Sequence, residues 1–482
     1  MSFNAAKAVA KYRAGDVRDC TREQFAGRLN LCALCVHRRD NVCGMNGEMV
    51  TIIGRRKASA CPAGCYPALV RPLDPGRSAP AASHAGPLTR AWDWVKSFFP
   101  RRVPAPSEPV VRKRTQPIKA LLIAPGLHNP GGIERWLIAM TRYVPEVSGR
   151  FVTIPAVIVR HPQGADAGLV TELSRFTRVV LCDETPQSTK LIQSLVAAAD
   201  VILASGVNVN LPLGVDSVEN IVSGSQCPVV FCSHSCCPYS EALSRAALES
   251  GKVRHWTSVG HTAKGIFPEA IADQVVAVEN GAEIDRCTPV RGRAWQRQQW
   301  GIRDDQIVIG FVGRLHHEKR PTAVAEALQH LPAEYVGLVF GSGIHGEAVI
   351  AESESIAGDR VRFMGCVSYI GDILAGLDVW LLASPAEGFC LARVEAQLAG
   401  VSVVSTPTGE IPRLEAEHGQ LTWPVPIGAT GAEIAAVIQR SQANRFQARQ
   451  IAERARELAW GRYTAPAMAG RWIDYFTSIL QD

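Results

Sequence analysis

The sequence predicts an α/β protein in which two doubly wound domains face each other across a cleft. Three observations carry that prediction. From residue 118, short runs rich in Val, Ile and Leu alternate with stretches of helical periodicity, and the alternation restarts at residue 307. The runs are apolar on both faces, as in parallel strands covered by helices on both sides of a sheet. Strand–helix–strand alternation in turn gives right-handed crossovers in an open sheet.

The elements follow in order. In the first Rossmann-like domain, residues 118–278, KALLIAPG (119–126), FVTIPAVIV (151–159), RVVLC (178–182), DVILAS (200–205) and PVVFCSH (228–234) read as strands. IERWLIAMTRYV (133–144) and QSTKLIQSLVAAA (187–199) read as helices between them. The second such domain, 279–455, carries strands IVIGFVGR (307–314), YVGLVFGSG (335–343), RVRFMG (360–365), DVWLLAS (378–384) and VSVVST (401–406). Its helices include PTAVAEALQHL and CLARVEAQLAG. Ligands of such sheets sit outside the carboxyl ends of the strands, so the site is expected in the cleft.

Composition narrows the function classes. The 482 residues allow about three domains at roughly 150 each. An apolar fraction of 47% and a charged fraction of 20% exclude a disordered, collagen-like or small disulfide-scaffold protein. The longest apolar stretch, around Leu195 to Val215, is broken by Asp200, Asn208 and Asn210, so no transmembrane helix is expected. MSFNAAKAVAKYRAGD has no apolar core of a secretory signal, and a cytoplasmic location is expected.

The net charge of +6 is unevenly placed. Residues 1–70 hold 11 basic and 5 acidic residues, and 71–117 hold 9 and 3, which leaves 31 and 37 for the rest. A basic arm thus precedes a mildly acidic body. Such an arm fits nucleic acid, an acidic partner or a membrane face, and equally the body's own acidic surface. Residues 71–117 hold nine of the 30 prolines and read as an extended linker. Within it, segment 88–102 sets Trp92, Trp94, Phe98 and Phe99 beside Arg101 and Arg102. It reads either as an interfacial helix giving peripheral contact with the inner membrane face, or as an aromatic clip on the body.

Six of the 14 cysteines fall in residues 1–70: Cys20, Cys32, Cys35, Cys43, Cys61 and Cys65. A unit this short needs a cross-link or a metal to hold it. Thiolates in tight C-x2-C spacing suit tetrahedral zinc, with Cys32, Cys35, Cys43 and Cys61 as the preferred set and Cys20 and Cys65 competing. An iron–sulfur cluster is the alternative, because four thiolates also hold one. The other eight cysteines read as ordinary buried thiols.

Three motifs carry chemistry. GLHNPGGIERW (126–136) follows the first strand, and Gly131 and Gly132 open a helix whose free N–H groups suit an anion. It is not G-x-G-x-x-G, so no dinucleotide fingerprint is present. GRLHHEKRP (313–321) places Arg314 and Lys319 above a strand end, where two cations suit a diphosphate. EGFCLARVE (387–395) separates Glu387 and Glu395 by seven residues, with Gly388 and Phe389 at a helix start. Carboxylates repel phosphate but accept from sugar and ribose hydroxyls.

In this order, GGIER, ENGAEID (279–285), GRLHHEKRP and E-x7-E resemble the retaining glycosyltransferases of family 4, over about residues 118–482. The resemblance implies the two-domain GT-B fold and a hexosyl transfer from a UDP-, GDP- or ADP-sugar. Arg314 and Lys319 would hold the diphosphate, with Gly131 and Gly132 closing over it. Glu395 would take the ribose, and Glu387 the transferred sugar, near the amides of Gly388 and Phe389. His234, at the end of PVVFCSH, matches a family position beside the sugar ring. LAWGRYTAPAMAGRWIDYF resembles the family's final helices, so 456–482 would cross back to the first domain.

The chain departs from the family at Cys390, at GVS (400–402) and at TGEIPR (408–413), where Arg413 replaces an acid. No Asp-x-Asp occurs, so no divalent metal is called for on the diphosphate. The acceptor hydroxyl, on a glycan, lipid-linked glycan, protein or nucleic acid, stays open. The other reading is a non-catalytic transferase-like scaffold whose basic, cysteine-rich arm binds nucleic acid or an acidic partner.

Overall fold

The computed structural model describes residues 38–39, 42–43 and, from 116 to 481, all but 129–130, 184, 206–224, 236–243, 246, 250, 252 and 368. The chain divides into two compact units, Met1–Arg102 and Val103–Asp482. In the first, strands β1 (Arg38–Arg39) and β2 (Val42–Cys43) pair antiparallel. The side chains of the expected metal set, the linker and segment 88–102 lie outside the described residues.

The second unit holds both sheets. The first lobe runs β3 (Ile118–Gly126), α1 (Gly132–Val147), β4 (Val152–Thr153), β5 (Ala156–His161), α2 (Ala167–Leu173), β6 (Arg178–Leu181), α3 (Pro186–Ala198), β7 (Val201–Ser205), β8 (Val229–Ser233), β9 (His255–Ser258) and β10 (Val275–Ala277). Its strands are parallel, in the order β10-β9-β8-β7-β3-β5-β6, with β4 on the start of β3. The single strand expected over 151–159 is two. Pro155 has no N–H for the ladder, so β4 pairs at Ile118 and Lys119 while β5 pairs from Leu122 onward.

The second lobe begins with α4 (Ile284–Cys287) and α5 (Gly292–Trp300). It continues through β11 (Ile307–Val312), α6 (Ala323–Leu328), β12 (Tyr335–Phe340), α7 (Gly346–Ala357), β13 (Val361–Gly365) and α8 (Gly371–Gly376). Then come β14 (Val379–Leu382), α9 (Leu391–Leu398), β15 (Ser402–Ser405), α10 (Ile411–His418), β16 (Trp423–Pro424), α11 (Gly431–Ala443) and α12 (Arg445–Arg462). The sheet order is β13-β12-β11-β14-β15-β16, all parallel. The chain builds outward one way from β11 and then the other way from β14. The crevice between these two strands is therefore the topological switch point.

The last helix, α13 (Ala465–Ile479), returns to the first lobe and packs on α1. Trp472 meets Trp136 edge-on at 5.8 Å, both fully buried. Burying a side chain such as Phe476, also on this helix, stabilises by about 1.5–3 kcal/mol. The outgoing and returning segments run side by side: Ala282 bridges Thr464, and Ala465 N donates to Ala282 O at 2.8 Å. Gly281 permits this approach, because a Cβ there would sit 2.1 Å from Thr464 O. The boundary drawn at 455/456 falls inside α12, and the return begins after Tyr463. No described helix is long and apolar enough to cross a membrane.

Candidate active site

The loops after β11 and β14 flank the switch point, and they meet. Lys319, in a tight turn over His317–Lys319, places Nζ 2.7 Å from Glu387 Oε2. The other oxygen, Oε1, accepts from Ser384 Oγ at 2.7 Å. Glu387 is 6% exposed and held from two sides, while Lys319 keeps a solvent-facing edge. The expected diphosphate ligand and the expected sugar ligand are thus direct neighbours. Arg314, on the same loop, is exposed. Across the cleft lies Glu134, whose carboxyl burial pushes up, while bonds from backbone N–H groups and the charge of Arg314 act against that.

Gly388 is one point where the lobes touch. A Cβ there would lie 2.7 Å from His234 O and 3.1 Å from Ser235 Cα, so only glycine allows the first lobe this close. His234 therefore does lie beside the Glu387 loop. Its Nε2 bonds Ser205 Oγ at 2.8 Å, and its ring meets Trp136 at 4.6 Å. Burial lowers its pKa to about 3, so the imidazole is neutral at physiological pH. Gly132 faces α9 across the cleft, with a Cβ position 4.0 Å from Leu391 Cδ1. Gly131 caps α1, and its N–H donates to Glu134 Oε2 at 3.1 Å.

Phe389 turns its ring inward against Tyr463 at 5.5 Å, so only its backbone faces the helix start. Cys390, at the family's second glycine, has φ of 67°, the left-handed conformation that glycine adopts freely. A residue with a Cβ adopts it at a cost of roughly 1–2 kcal/mol. Cys390 thus holds a backbone conformation for which glycine is the favoured residue. No side chain caps α9, which leaves its first N–H groups available to an anion.

Glu395 is buried and ion-paired with Arg286 of α4. Burial pushes its carboxyl up, and Arg286 and Arg135 act against that. Arg135 in turn bonds Glu172 at 2.6 Å and faces Glu283 at 3.5 Å. Sequence reasoning missed Arg286, Ser384 and Glu134. Of these, only Glu134 lay in a quoted motif with the right chemistry, as the acid of GGIER.

A second inter-lobe contact lies at the hinge. Thr262 N and Oγ1 donate to Glu410 Oε1 at 2.9 Å and to Gly409 O at 2.6 Å. Arg413 bonds Glu410 at 2.9 Å and Glu279 at 2.7 Å, and Arg462 adds a bond to Glu279 at 2.8 Å. Burial pushes Glu279 up, but the bond from Arg462 and the charges of Arg462, Arg471 and Arg413 prevail and lower it. His261, Glu279 and Glu410 are the described residues close enough together to hold a metal ion. The guanidinium groups of Arg413 and Arg462 already occupy both carboxylates, so the cluster is an ion-pair network. The eight later cysteines read as buried thiols, and among those described Cys232 and Cys287 are buried, Cys182, Cys227 and Cys390 are half-buried, and Cys366 is exposed.

Comparison with known proteins agrees with this geometry. Residues 293–458 match the family described as Glycosyl transferases group 1. D-inositol 3-phosphate glycosyltransferase of Mycobacteroides abscessus is 30% identical over 159 residues, 29% of this chain and 36% of that protein. N-acetyl-alpha-D-glucosaminyl L-malate synthase of Bacillus anthracis is 24% identical over 39% of this chain and 49% of its own length. The matches thus span between about a third and a half of these relatives. Anabaena HepE, solved with UDP and glucose, superposes over 75% of this chain and all of its own at a TM-score of 0.64 and 21% identity. WaaG, a glycosyltransferase of lipopolysaccharide biosynthesis, covers 72% of this chain at a TM-score of 0.55 and 16% identity. Together these likenesses establish the two-domain GT-B fold.

Proposed function

We propose that the protein is a glycosyltransferase that moves a sugar from a nucleotide-diphosphate donor to an acceptor hydroxyl, with retention and without a divalent metal. The observation that carries this reading is the Lys319–Glu387 pair at the switch point of the lobe that matches the transferase family. UDP and glucose in the HepE structure support a nucleotide sugar as donor.

Breaking the sugar–phosphate bond leaves charge on the diphosphate and an oxocarbenium-like sugar. Arg314, Lys319 and the free N–H groups at the start of α9 would stabilise the leaving diphosphate more than the bound ground state. Glu387, fixed by Lys319 and Ser384, would accept from sugar hydroxyls, and Glu395 from the ribose. His234, held neutral, would lie beside the sugar ring as a hydrogen-bonding group rather than a cation. Gly131 and Gly132 would close over the diphosphate. The acceptor hydroxyl would attack on the face the leaving group departs from, with a phosphate oxygen taking its proton. Closure of the lobes would exclude water.

The cysteine module is proposed to hold a structural zinc ion through Cys32, Cys35, Cys43 and Cys61, and elemental analysis separates this from iron. The scaffold reading has no observation that favours it. The deciding experiment is a thermal-shift panel of UDP-, GDP- and ADP-sugars with EDTA present, followed by NMR of the product's anomeric proton. Stabilisation by one donor and a product of unchanged anomeric configuration support the proposal. If no donor binds, or if the configuration inverts, the proposal fails.

A further inference from the structure

Beside the switch point lies a cluster of imidazoles that the transfer mechanism leaves unused. The loops after β11 and β12 interlock backbone to backbone. Leu315 N donates to Ser342 O at 2.9 Å, and a Cβ on Gly341 or Gly343 would lie 1.8 Å from Gly313 O or 2.4 Å from Leu315 O. This clamp brings three rings together. His316 stacks on His345 with centroids 4.2 Å apart and planes at 25°, and His317 lies 4.5 Å from His345.

The hydrogen bonds of these rings fix which nitrogen carries the proton. His316 Nδ1 accepts from Glu318 N at 3.3 Å, and His345 Nδ1 accepts from His317 N at 3.4 Å. Neutral rings bonded this way hold the proton on Nε2. Both rings then offer donors, not the lone pairs a metal ion needs. The bases around the cluster are Arg314, Lys319 and Arg320 on the same loop, and the acids are Glu318 and, in the first turn of α7, Glu347. Glu318 Oε2 sits 3.5 Å from His316 Nδ1, so it does not occupy the Nε2–H that faces an incoming anion.

We propose that His316 and His345 form an anion subsite beside Lys319, which takes a phosphate-class oxyanion through their Nε2–H groups. His345 is held below its ordinary pKa, first by desolvation and then by the charges of His316 and His317. A bound anion relieves that mutual repulsion, so binding takes up protons and strengthens as pH falls. The anion is either the donor's own diphosphate or a separate phosphate. Only this choice of source rests on the donor-site reading above.

The test uses the full chain with labelled histidine, titrated with inorganic pyrophosphate and followed by NMR of the ring signals and by calorimetry at pH 6 and pH 8. Pyrophosphate is expected to move the His316 and His345 signals and to bind about tenfold tighter at pH 6, the effect of one proton largely taken up. The double variant His316→Gln, His345→Gln is expected to lose that difference. Competition between UDP and pyrophosphate assigns the anion to the donor, whereas simultaneous binding assigns it to a separate phosphate, and either supports the subsite. Equal affinity in variant and wild type at both pH values overturns it, as does movement of the rings by Zn²⁺ but not by pyrophosphate. If pyrophosphate moves the rings but no nucleotide sugar binds, the donor reading fails and the subsite stands.

Discussion

Lys319 Nζ and Glu387 Oε2 lie 2.7 Å apart across the place where the second sheet reverses its strand order. Neither residue is near the other in sequence, and the doubly wound topology alone makes them neighbours. Each also fixes the other: the ammonium holds the carboxylate in one rotamer, and the carboxylate keeps the lysine from folding outward.

Removing either partner should therefore damage transfer more than stability. Glu387→Gln keeps the shape and the Ser384 contact but loses the charge. With a nucleotide-sugar donor, kcat is expected to fall on the order of 10²–10³, as when one oriented group at a developing charge is removed. Steady-state kinetics check this. An unchanged kcat would remove Glu387 from the mechanism.

Gly388→Ala tests closure. Its added methyl meets backbone atoms, His234 O at 2.7 Å and Ser235 Cα at 3.1 Å, which have no rotamer to yield. The lobes are expected to part, with a larger radius of gyration in small-angle scattering and weakened donor binding. A variant as compact and as active as wild type would contradict the contact.

Arg286→Ala leaves Glu395 buried without its partner. Breaking such a pair costs about 3–5 kcal/mol. Burial already raises the Glu395 pKa, and Arg286 opposes the rise, so the variant raises it further. The folded state then binds a proton that the unfolded state releases, and stability is lost as pH rises through the raised folded pKa. Urea midpoints should show a larger deficit at pH 8 than at pH 5.

His234 has the opposite sign. Its pKa is lowered to about 3 by burial, while the unfolded ring titrates near its ordinary 6.5. The stability that comes from keeping it neutral is complete above pH 6.5 and is lost as pH falls toward 3. The slope is at most about 1.4 kcal/mol per pH unit. Denaturant unfolding of His234→Gln against wild type between pH 7 and pH 4 checks this: the variant should lose less on acidification.

The first strands of each lobe, the glycine turn and the Lys319 and Glu387 loops were legible in sequence, because continuous apolar runs end in loops of opposite chemistry. Strands β9, β10 and β16 were not, since two to four residues carry too little pattern. The break at Pro155 was in plain view but was overridden by the apolar run around it. Arg286 reaches Glu395 over 109 residues of chain, a pairing set by tertiary packing. In sequence, Arg413 reads as a departure, a base where the family has an acid. Instead it joins Glu279, Glu410 and Glu417 at the hinge, where a base is needed to satisfy buried acids.

The return of α13 to α1 has a consequence for synthesis. Trp136 is sealed by Trp472, and the whole second lobe lies between them in sequence. A ribosome delivers the first lobe's sheet before the helix that completes it, so that lobe waits with an uncovered aromatic face while the second lobe is made. The first lobe thus cannot mature before the second has been made, and loss of α13 would leave that first lobe unfinished.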